Sequence, residues 1–496
     1  MNIAIIGATG LVGKKIAFLL EKRNFLIDQF IPVSSKKSEG NTYIFQNNNY
    51  ELITVETFIE NTMKKQEKFI IFFASSKEVS KKYILTILEL NKNAWIIDNS
   101  SEYRLTPNVP LVIPEVNAEQ ITNKTRLIAN PNCSTAQLVM ALHPLHVKYN
   151  IKRVVVSTYQ SVSGAGYPGI NQLKQEREGE DSIGDLNPIF PAKIDMNCIP
   201  MCDILHDSGY TGEELKLERE TPKILGNYTI KISATAVRVP VVGGHSESVN
   251  IEFENEFELH DIIHMFNNTP GVIVKDMACP IDVENEENVW VSRIRRDFSQ
   301  PNSLNLWIVA DNLMKGAALN AVQIAEYIHL KYNNVKNISL IGMAAAGKSH
   351  ISYLLSKKTS WKLREMDDII QEKYSTSLSE LIQKYGNDGF KQIEEDTTLS
   401  ISGENYIIST GGSIVYSEKA MQHLKNISLI IYLDTPLETI LERIPDPVER
   451  GIVLNNNETL EELYYNRKEL YEKYSDVKIS CNNEEEICNK ILHYLV

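Results

Sequence analysis

Two segments of this chain share one order of features: a short apolar β-run, a glycine-rich turn and a helical pattern. The first turn, Gly7–Gly13, follows the β-run Asn2–Ile6, and the second, Gly342–Lys348, follows the β-run Ile338–Ile341. This order is typical of the strand, phosphate-binding turn and helix that open nucleotide-binding α/β domains. A second opening of this kind, so late in the chain, predicts a second nucleotide-binding domain.

The pattern of β-runs and helices changes once between these two turns. β-runs at Phe69–Ala74 and Ala94–Asp98 alternate with helical patterns such as Glu78–Leu90, which predicts a parallel sheet of the α/β type. From about Lys152 the helices are fewer and the β-runs are longer, as at Arg153–Tyr159, Thr229–Arg238 and Ser248–Phe253. This pattern is typical of an α+β region with a mostly antiparallel sheet. The helix Ala317–Tyr332 is predicted to return to the first domain.

Length and composition exclude several classes of protein. A chain of 496 residues predicts three or four domains, and its formal net charge of -13 argues against a nucleic-acid partner. The six cysteines form no regular framework, so we expect free thiols in a reducing compartment. The N-terminal run lacks the basic start of a signal peptide, and no segment is long and apolar enough to span a bilayer. We therefore expect a cytoplasmic protein without a membrane partner.

The first glycine-rich turn has the pattern G-x-x-G-x-x-G. Glycines let the backbone approach a pyrophosphate, and the N-terminus of the following helix favours its negative charge. A tight turn that binds no ligand is the alternative. The residues expected to contact a dinucleotide here are Gly7, Thr9, Gly10, Leu11, Val12 and Gly13.

The end of the second β-run indicates which dinucleotide is bound. NAD enzymes usually carry Asp or Glu at this point, to bind the ribose hydroxyls. Here Phe30–Val33 is followed by Ser34–Lys37, which contains no acid. Hydroxyl and ammonium groups suit a 2′-phosphate, so NADP is favoured, with Ser35 and Lys36 as candidate ligands. A solvated basic loop is the alternative.

Cys133 lies between a β-run and an apolar helical pattern, within Asn130–Thr135. A helix dipole stabilises a thiolate at the first residue, which makes Cys133 a candidate nucleophile. A lone cysteine is more often a small buried residue, so the assignment of a nucleophile depends on the other motifs in the chain. The glycine-rich loop Tyr159–Gly166 follows a β-run, and Arg238 and His245 supply a cation and a base.

These motifs together resemble those of aspartate-semialdehyde dehydrogenases. The resemblance covers roughly the first 330 residues and rests on G-A-T-G-x-V-G, N-P-N-C-S-T, Q-S-V-S-G-A-G, R-V-P and G-H-S-E, in the family's order. N-acetylglutamyl-phosphate reductases share the scaffold and the thiol chemistry but carry a glycine before the cysteine. Asn132 and Gln160 favour the aspartate enzyme.

The resemblance implies a role for five residues of the first site. Cys133 attacks the acyl carbon of β-aspartyl phosphate, and the resulting thioester accepts hydride from NADPH. His245 is the acid and base, which suits an imidazole near neutral pH. Gln160 orients the substrate, Arg238 binds its α-carboxylate, and Arg104 binds the departing phosphate.

Further residues are implied by the same resemblance. Glu213 and Lys216 match the family's E-E-x-K element and would contact the substrate's amino group and phosphate; a surface pair on a helix is the alternative. Asn132 is expected to contact the substrate, and Ser163 and Gly164 the cofactor. A homodimer or homotetramer is expected to form through this part of the chain.

The second glycine-rich turn fits G-x-x-x-x-G-K-S after a strand and before a helix. In this pattern backbone N–H groups surround the ATP phosphates, the lysine reaches the β and γ oxygens, and the serine ligates Mg²⁺. No GTPase switch or base-specificity motif follows. The residues expected to bind ATP are Gly342, Ala346, Gly347, Lys348 and Ser349, of which Ser349 is the expected Mg²⁺ ligand.

The remaining 160 or so residues resemble shikimate kinases. E-M-D stands where that family has D-x-D, F-K-x-x-E where it has F-R-x-x-E, and S-T-G-G follows a β-run as it does there. The resemblance implies that Asp367 accepts a proton from the acceptor hydroxyl or orients it. Arg443 and Arg450 fall in the region of the lid, where Arg450 is expected to contact ATP. The residues expected to bind the acceptor are Lys391, Gly411, Gly412 and Arg467.

This second part departs from the family at four positions. Lys391 replaces the arginine that grips the shikimate carboxylate, and lysine lacks the planar fork. Ser413 replaces the third glycine of a triple, Glu365 replaces an aspartate near the metal, and Ala345 replaces a loop glycine. ATP binding is still expected, but the acceptor is left open.

Two acceptors and one non-catalytic function are compatible with the second part. Shikimate follows from the resemblance. Homoserine follows from the fusion, because aspartate semialdehyde is one reduction from homoserine, which is then phosphorylated. A degenerate kinase that binds ATP and regulates the first enzyme is the third hypothesis; the intact G-K-S and Asp367 argue against it.

The predicted fold class is therefore α/β with three domains. A Rossmann-type NADP domain is expected at 1–128, completed by the helix 315–332, and an α+β catalytic and dimerisation domain at 129–314. A P-loop α/β kinase domain is expected at 337–496. The expected cofactors are NADP(H), ATP and Mg²⁺, and the expected partners are small-molecule substrates.

Overall fold

The structure is a computed structural model that describes residues 1–492 except 24, 26, 180–187, 333–335, 360, 445–458 and 481–482. It divides into two compact units, Met1–Tyr327 and Ile328–Val496. Each unit contains its own strand, glycine-rich turn and helix, as the two sequence openings predict.

The first unit contains thirteen strands among the residues that the structure describes. They are β1 (Asn2–Ile6), β2 (Gln29–Val33), β3 (Thr42–Phe45), β4 (Asn48–Glu51), β5 (Phe69–Phe73), β6 (Ala94–Asp98), β7 (Leu127–Ala129), β8 (Ile151–Gln160), β9 (Lys231–Arg238), β10 (His245–Phe253), β11 (Val272–Val274), β12 (Val289–Arg296) and β13 (Ser303–Ala310). The α-helices are α1 (Leu11–Lys22), α2 (Val55–Thr62), α3 (Lys77–Leu90), α4 (Pro114–Asn117), α5 (Cys133–Tyr149), α6 (Gly166–Arg177), α7 (Gly212–Leu225), α8 (Leu259–Asn267) and α9 (Leu319–Tyr332).

The first sheet is parallel, with the strand order β2-β1-β5-β6-β7. Every residue of β5 and β6 is buried. A strand that is covered on both faces has a continuous run of apolar residues, and this is why both strands could be predicted from the sequence. The parallel α/β prediction is confirmed.

The second sheet has the order β11-β12-β13-β10-β8-β9. Its three central pairings are antiparallel and its two outer pairings are parallel, so the mostly antiparallel prediction is correct. β10 begins at His245, three residues before the apolar run seen in the sequence. The first three residues of β10 are His245, Ser246 and Glu247. Because they are polar and yet buried, the sequence gives no apolar signal for the start of this strand.

Helix α9 begins in the first unit, crosses its boundary at Tyr327, and is joined by an ion pair to the residue that follows α1. A π-helical turn, Met314–Ala318, leads into α9. Arg23, which ends α1, donates two hydrogen bonds to Glu326 of α9 at 2.7 and 3.0 Å. The start of α9 is thus tied to the end of α1, which agrees with the predicted return of this helix to the first domain.

The second unit is a parallel sheet with the order β15-β16-β14-β17-β18. Its strands are β14 (Asn337–Ile341), β15 (Lys362–Glu365), β16 (Tyr406–Ser409), β17 (Leu429–Leu433) and β18 (Val477–Ile479). Its helices are α10 (Lys348–Thr359), α11 (Met366–Tyr374), α12 (Leu378–Leu399, kinked at Gly386), α13 (Glu418–Ile427), α14 (Leu437–Arg443), α15 (Leu460–Tyr474) and α16 (Glu484–Leu492). β14 is central, so the turn that follows it opens at the middle of the sheet edge.

The described residues contain no helix long and apolar enough to cross a membrane. The five cysteines in the described ranges carry free thiols. These ranges also contain no group of three or more His, Cys, Asp or Glu side chains arranged to hold a metal ion.

Candidate active sites

A cavity of about 370 Å³ lies in the first unit, between the parallel sheet and the second sheet. It is lined by eleven of the residues singled out in the sequence. They are Leu11, Val12, Arg104, Asn132, Cys133, Gln160, Ser163, Gly164, Glu213, Lys216 and Arg238.

In the glycine-rich turn at one end of this cavity, backbone segments approach one another so closely that a side chain would not fit at Gly7 or Gly13. Gly7 has a φ of +88°, and a Cβ there would lie 2.3 Å from the carbonyl oxygen of Ala74. A Cβ on Gly13 would lie 2.2 Å from the carbonyl oxygen of Gly7. Helix α1 begins directly after Gly10 with no side-chain cap, so its first N–H groups are available to an anionic ligand.

The segment after β2 carries the candidate ligands for a 2′-phosphate. Ser34 is buried, and its backbone N–H donates to the carbonyl oxygen of Ile53. Ser35 and Lys36 are exposed at the start of a short 3-10 turn. Hydroxyl and ammonium groups therefore stand, without an acid, at the carboxyl end of β2.

Cys133 is the first residue of α5. The side chain of Asn132 caps that helix, accepting hydrogen bonds from the N–H groups of Ser134 and Thr135 at 3.0 and 3.1 Å. Burial, together with the Glu213 carboxylate, raises the pKa of the Cys133 thiol to about 12. The raised pKa favours the protonated thiol at neutral pH, so the start of a helix is not by itself enough to make Cys133 a thiolate.

Glu213 is the centre of a buried polar network and not one half of a surface pair. Its Oε1 accepts from Asn132 Nδ2 at 2.7 Å and Gln160 Nε2 at 3.0 Å, and its Oε2 accepts from Lys216 Nζ at 3.0 Å. Burial raises the pKa of Glu213, but Lys216 and these hydrogen bonds prevail and lower it to about 2. Lys216 also pairs with Asp203 at 2.8 Å.

His245 is fully buried and is not among the residues that line the cavity, but its Nε2 lies close behind Gly164, which does line it. Its Nδ1 lies 3.1 Å from both the backbone N and the Oγ of Ser161. The backbone N–H makes Nδ1 an acceptor, which leaves the proton of the neutral ring on Nε2. Nε2 has no hydrogen-bond partner among the described residues. Burial and the nearby Arg238 lower the pKa of His245 to about 3, which favours the neutral ring at pH 7.

The side chains of Arg238 and His245 both lie against Gly164. A Cβ on Gly164 would lie 2.8 Å from Arg238 Nη1 and 3.3 Å from His245 Nε2. Arg238 Nη1 donates to the carbonyl oxygen of Ser161 at 2.7 Å. This bond fixes the guanidinium at the cavity wall and leaves its other N–H groups for a ligand.

Arg104, the predicted phosphate ligand, already donates three hydrogen bonds within the protein. Its Nε donates to the Asn130 carbonyl oxygen at 2.9 Å, and its Nη2 to the Asn99 carbonyl oxygen at 2.8 Å. Its Nη1 donates to Glu220 at 3.1 Å. Two of its five N–H groups are left for a ligand.

Two residues that complete this site were missed in the sequence. Glu220 accepts a hydrogen bond from Arg104 through one carboxylate oxygen. Through the other it accepts a hydrogen bond from the backbone N–H of Asn132 at 2.7 Å. Its spacing of seven from Glu213 on α7 places both on one helix face, a signal that could have found it. Asn312 Oδ1 accepts from Ser163 Oγ at 3.1 Å and gave no local signal.

A second cavity, of about 560 Å³, lies in the second unit beside the turn after β14. Arg450 lies outside the described residues. Lys391 is not at this cavity: its Nζ pairs with Asp388 at 3.5 Å and lies 5.3 Å from the ring centre of Tyr416. The sequence-predicted residues that line the cavity are Gly347, Lys348, Ser349, Asp367, Gly411, Gly412, Arg443 and Arg467.

The turn after β14 contains three residues with positive φ. Gly342 and Gly347 have φ values of +148° and +93°, and Ala345 has +61°. Ala345 therefore adopts the left-handed conformation that favours glycine, which explains the family's choice there. Its carbonyl oxygen accepts a hydrogen bond from Arg443 Nη1 at 3.0 Å.

Lys348 is folded into this turn. Its Nζ donates to the carbonyl oxygens of Gly342 and Met343, both at 2.8 Å. Burial lowers the pKa of Lys348 to about 8, against the opposing charges of Asp367 and Glu365. The hydroxyl of Ser349 also bonds Glu365, whose pKa burial raises.

The comparisons with protein families divide the chain into three segments. Residues 2–124 match the model for the semialdehyde dehydrogenase NAD binding domain, and residues 142–315 match that for the semialdehyde dehydrogenase dimerisation domain. Residues 344–496 match the model for shikimate kinase. Fold and sites thus define an NAD(P)-binding oxidoreductase joined to a P-loop domain of the kinase type.

Individual relatives identify the family of the oxidoreductase part. The aspartate-semialdehyde dehydrogenase of Aquifex aeolicus is 43% identical over 337 residues, covering 66% of this chain and 97% of that protein. The Bacillus subtilis enzyme is 38% identical over 341 residues, covering 66% and 96%. The chain belongs to the aspartate-semialdehyde dehydrogenase family, and it carries a shikimate kinase domain after that part. Both resemblances noted in the sequence are confirmed.

A solved structure gives the same result for the first unit. Aspartate-semialdehyde dehydrogenase II from Vibrio cholerae has a TM-score of 0.63 and 39% identity, covering 67% of this chain and 99% of that chain. The match to a dimerisation domain implies that the chain associates with itself.

Proposed function

We propose that the first unit catalyses the NADPH-dependent reductive dephosphorylation of L-aspartyl 4-phosphate to L-aspartate 4-semialdehyde. The observation that carries this proposal is the single cavity that gathers Cys133, Gln160, Glu213 and Arg238. Purified protein should reduce NADP when given the semialdehyde and phosphate, the reverse reaction. It should not reduce NAD with glyceraldehyde phosphate; turnover of that pair instead would overturn the assignment.

The residues divide the chemistry among them. The sulfur of Cys133 attacks the acyl carbon, phosphate leaves, and an acyl thioester remains. The bound cofactor supplies the hydride that reduces this thioester. Collapse of the hemithioacetal releases the aldehyde and returns the electron pair to sulfur. The negative charges of the bound substrate would raise the pKa of His245, so that its ring could act as the acid and base between the sulfur and the carbonyl oxygen.

The substrate's charges match those around the cavity. Arg238 would bind the α-carboxylate with the N–H groups that Ser161 does not use. The buried, ionised Glu213 would bind the α-ammonium, and Asn132 and Gln160 hold its Oε1 in place. Lys216 and the remaining N–H groups of Arg104 would bind the phosphate.

We expect a preference for NADPH over NADH of at least about tenfold in kcat/KM, roughly 1.4 kcal/mol. The reason is the exposed pair Ser35 and Lys36 and the absence of an acid after β2. Lys36→Ala should lower kcat/KM for NADPH and leave that for NADH unchanged. The control is Lys124→Ala, because Lys124 precedes β7 and lies at the opposite edge of the parallel sheet. Equal kcat/KM values for the two cofactors in the wild type would contradict the prediction.

We further propose that the second unit transfers the γ-phosphoryl group of ATP to the hydroxyl of a small carboxylic acid. Lys348, Asp367 and Arg467 line one cavity, which supports phosphate, hydroxyl and carboxylate sites side by side. Mg²⁺ would be held by Ser349. Shikimate is the candidate from the family, and homoserine the second, because Lys391 lies away from the cavity. ADP release that depends on an added acceptor would exclude a purely regulatory ATP-binding domain.

The binding of ATP should weaken above about pH 8. Burial lowers the pKa of Lys348 to about 8, and phosphate oxygens favour its protonated form. The Kd for MgATP should therefore stay flat below this pH and then rise, approaching about tenfold per pH unit. Calorimetric titration across this range measures it. Lys348→Arg, protonated throughout, should show no such rise; a flat profile in the wild type would contradict the prediction.

We propose a three-domain assembly for the whole chain. Residues 1–128 with 315–332 form the NADP domain, 129–314 the catalytic and dimerisation domain, and 337–496 the kinase domain. Association into a homodimer or homotetramer would run through the dehydrogenase part, and the protein would act in the cytoplasm. Light scattering of the full chain and of a chain ending before the kinase domain should give the same number of subunits.

A further inference from the structure

The N-terminal ends of two helices lie at the same cavity of the first unit. Leu11 and Val12 begin α1, Gly166 begins α6, and all three line the cavity. Neither helix has a side-chain cap or an acidic residue in its first turn. The backbone N–H groups of a first turn attract anions, so an anion between these helices would meet the positive ends of both dipoles.

A lysine of α1 contacts a tyrosine of α6 beside this part of the cavity. Lys14 Nζ donates a hydrogen bond to Tyr167 Oη at 3.4 Å and lies 5.3 Å from the centre of the ring. Lys14 lies one helical turn after Leu11, and Tyr167 follows Gly166 directly. Helical side chains point toward the N-terminus of their helix, so Lys14 is directed toward the first turn of α1. Both side chains are exposed and accessible to a ligand.

Lys14 differs from the other two lysines of α1 in its partners. Lys15 Nζ donates to Asn285 Oδ1 at 2.7 Å, and Lys22 Nζ pairs with Glu287 at 3.0 Å. Within the part of the chain that the structure describes, no carboxylate pairs with Lys14, and its contact is with the uncharged phenol of Tyr167. The positive charge of Lys14 is therefore not neutralised, and two of its three N–H groups are left for a ligand.

We propose that Lys14 and Tyr167 bind the pyrophosphate of the dinucleotide, which lies between the N-terminal ends of α1 and α6. This inference rests on the proposed dehydrogenase function. Lys14 supplies a positive charge to the phosphate oxygens, and the hydroxyl of Tyr167 holds the ammonium group in place. Because α1 follows β1 of the parallel sheet and α6 follows β8 of the second sheet, the cofactor is held from both sheets of the unit.

The first test measures cofactor binding without turnover. Lys14→Met removes the charge from an exposed side chain of similar length. The Kd for NADPH, from fluorescence titration of the full-length protein, should rise about tenfold, the effect of one hydrogen bond to a charged group. The Kd for NADH should rise by the same factor, because both dinucleotides carry the pyrophosphate. Lys14→Arg, which keeps the charge, should stay within about threefold of wild type.

The matched control for this test is Lys15→Met, since Lys15 is the next residue and bonds Asn285 instead. It should leave both Kd values within about twofold of wild type. An unchanged Kd in Lys14→Met would overturn the proposal. A rise for NADPH alone would also overturn it, because Lys14 would then bind the 2′-phosphate. If the wild-type protein binds neither dinucleotide, the dehydrogenase function itself fails.

The second test asks whether the two side chains act together. Tyr167→Phe removes the hydroxyl that Lys14 contacts and should raise the Kd for both dinucleotides by about twofold to fivefold. Combined with Lys14→Met, the total rise should be smaller than the product of the two single effects, because both act on the same phosphates. Tyr228→Phe, at an exposed residue away from the cavity, should have no effect. A total rise equal to the product would show independent roles and contradict the joint site.

Discussion

Cys133→Ala is expected to lower the rate of semialdehyde formation by at least about a thousandfold, the scale on which loss of a covalent nucleophile acts. Cys133 begins α5 at the cavity wall, beside Gln160 and Glu213. No other described cysteine lines this cavity, so no second thiol can replace it. Single-turnover measurement of NADPH oxidation with aspartyl phosphate gives the rate.

NADPH binding should survive this substitution. The glycine-rich turn Gly7–Gly13 and the segment Ser34–Lys37 are built without Cys133. Fluorescence titration of NADPH should therefore give a Kd within about twofold of wild type. Cys198→Ala is the matched control, because Cys198 is exposed and away from the cavity. Substantial turnover by Cys133→Ala would remove this residue as the nucleophile.

Lys348→Ala is expected to lower the kinase rate by about a hundredfold to a thousandfold. The substitution removes the charge that would meet the β and γ phosphates, a loss on the scale of other transition-state electrostatic groups. Dehydrogenase turnover in the same protein should stay near wild type. Cys133, Gln160, Arg238 and His245 all belong to the first compact unit, and Lys348 to the second.

Both activities are measured on one preparation, so each serves as the folding control for the other. Lys357→Ala provides the matched variant: it lies on the same helix, α10, but is exposed and away from the cavity. It should change neither rate. Parallel loss of both activities in a folded Lys348→Ala protein would contradict independent catalysis and show coupling between the units.

The sequence was sufficient for features that depend on neighbours along the chain. The two glycine-rich turns, the buried strands β5 and β6, and the helix start at Cys133 all carry local patterns. The start of β10 was placed too late, because a strand of buried polar residues has no apolar signature. Its burial is set by strands β8 and β13, which pair with it from distant parts of the chain.

The protonation states of the site could not be predicted from local sequence. The helix start suggested a stabilised thiolate at Cys133, and the family resemblance implied that His245 acts as an acid and base near neutral pH. Burial by distant segments dominates both, raising the pKa of Cys133 and lowering that of His245. Asn312 was missed for the same reason, since it meets Ser163 across 149 positions of sequence.

The π-helical turn before α9 has a consequence for the order in which this protein is made. A Cβ on Gly316 would lie 2.8 Å from Cys133 Cβ, so this turn closes the wall behind the nucleophile. Every residue of the first site therefore lies before the P-loop in the chain. At about 5 to 20 residues per second, the ribosome needs about 10 to 40 s to add the 180 residues that follow Gly316 in this sequence. The reactive thiol can thus be enclosed, and the oxidoreductase can fold, while the second domain is still being synthesised.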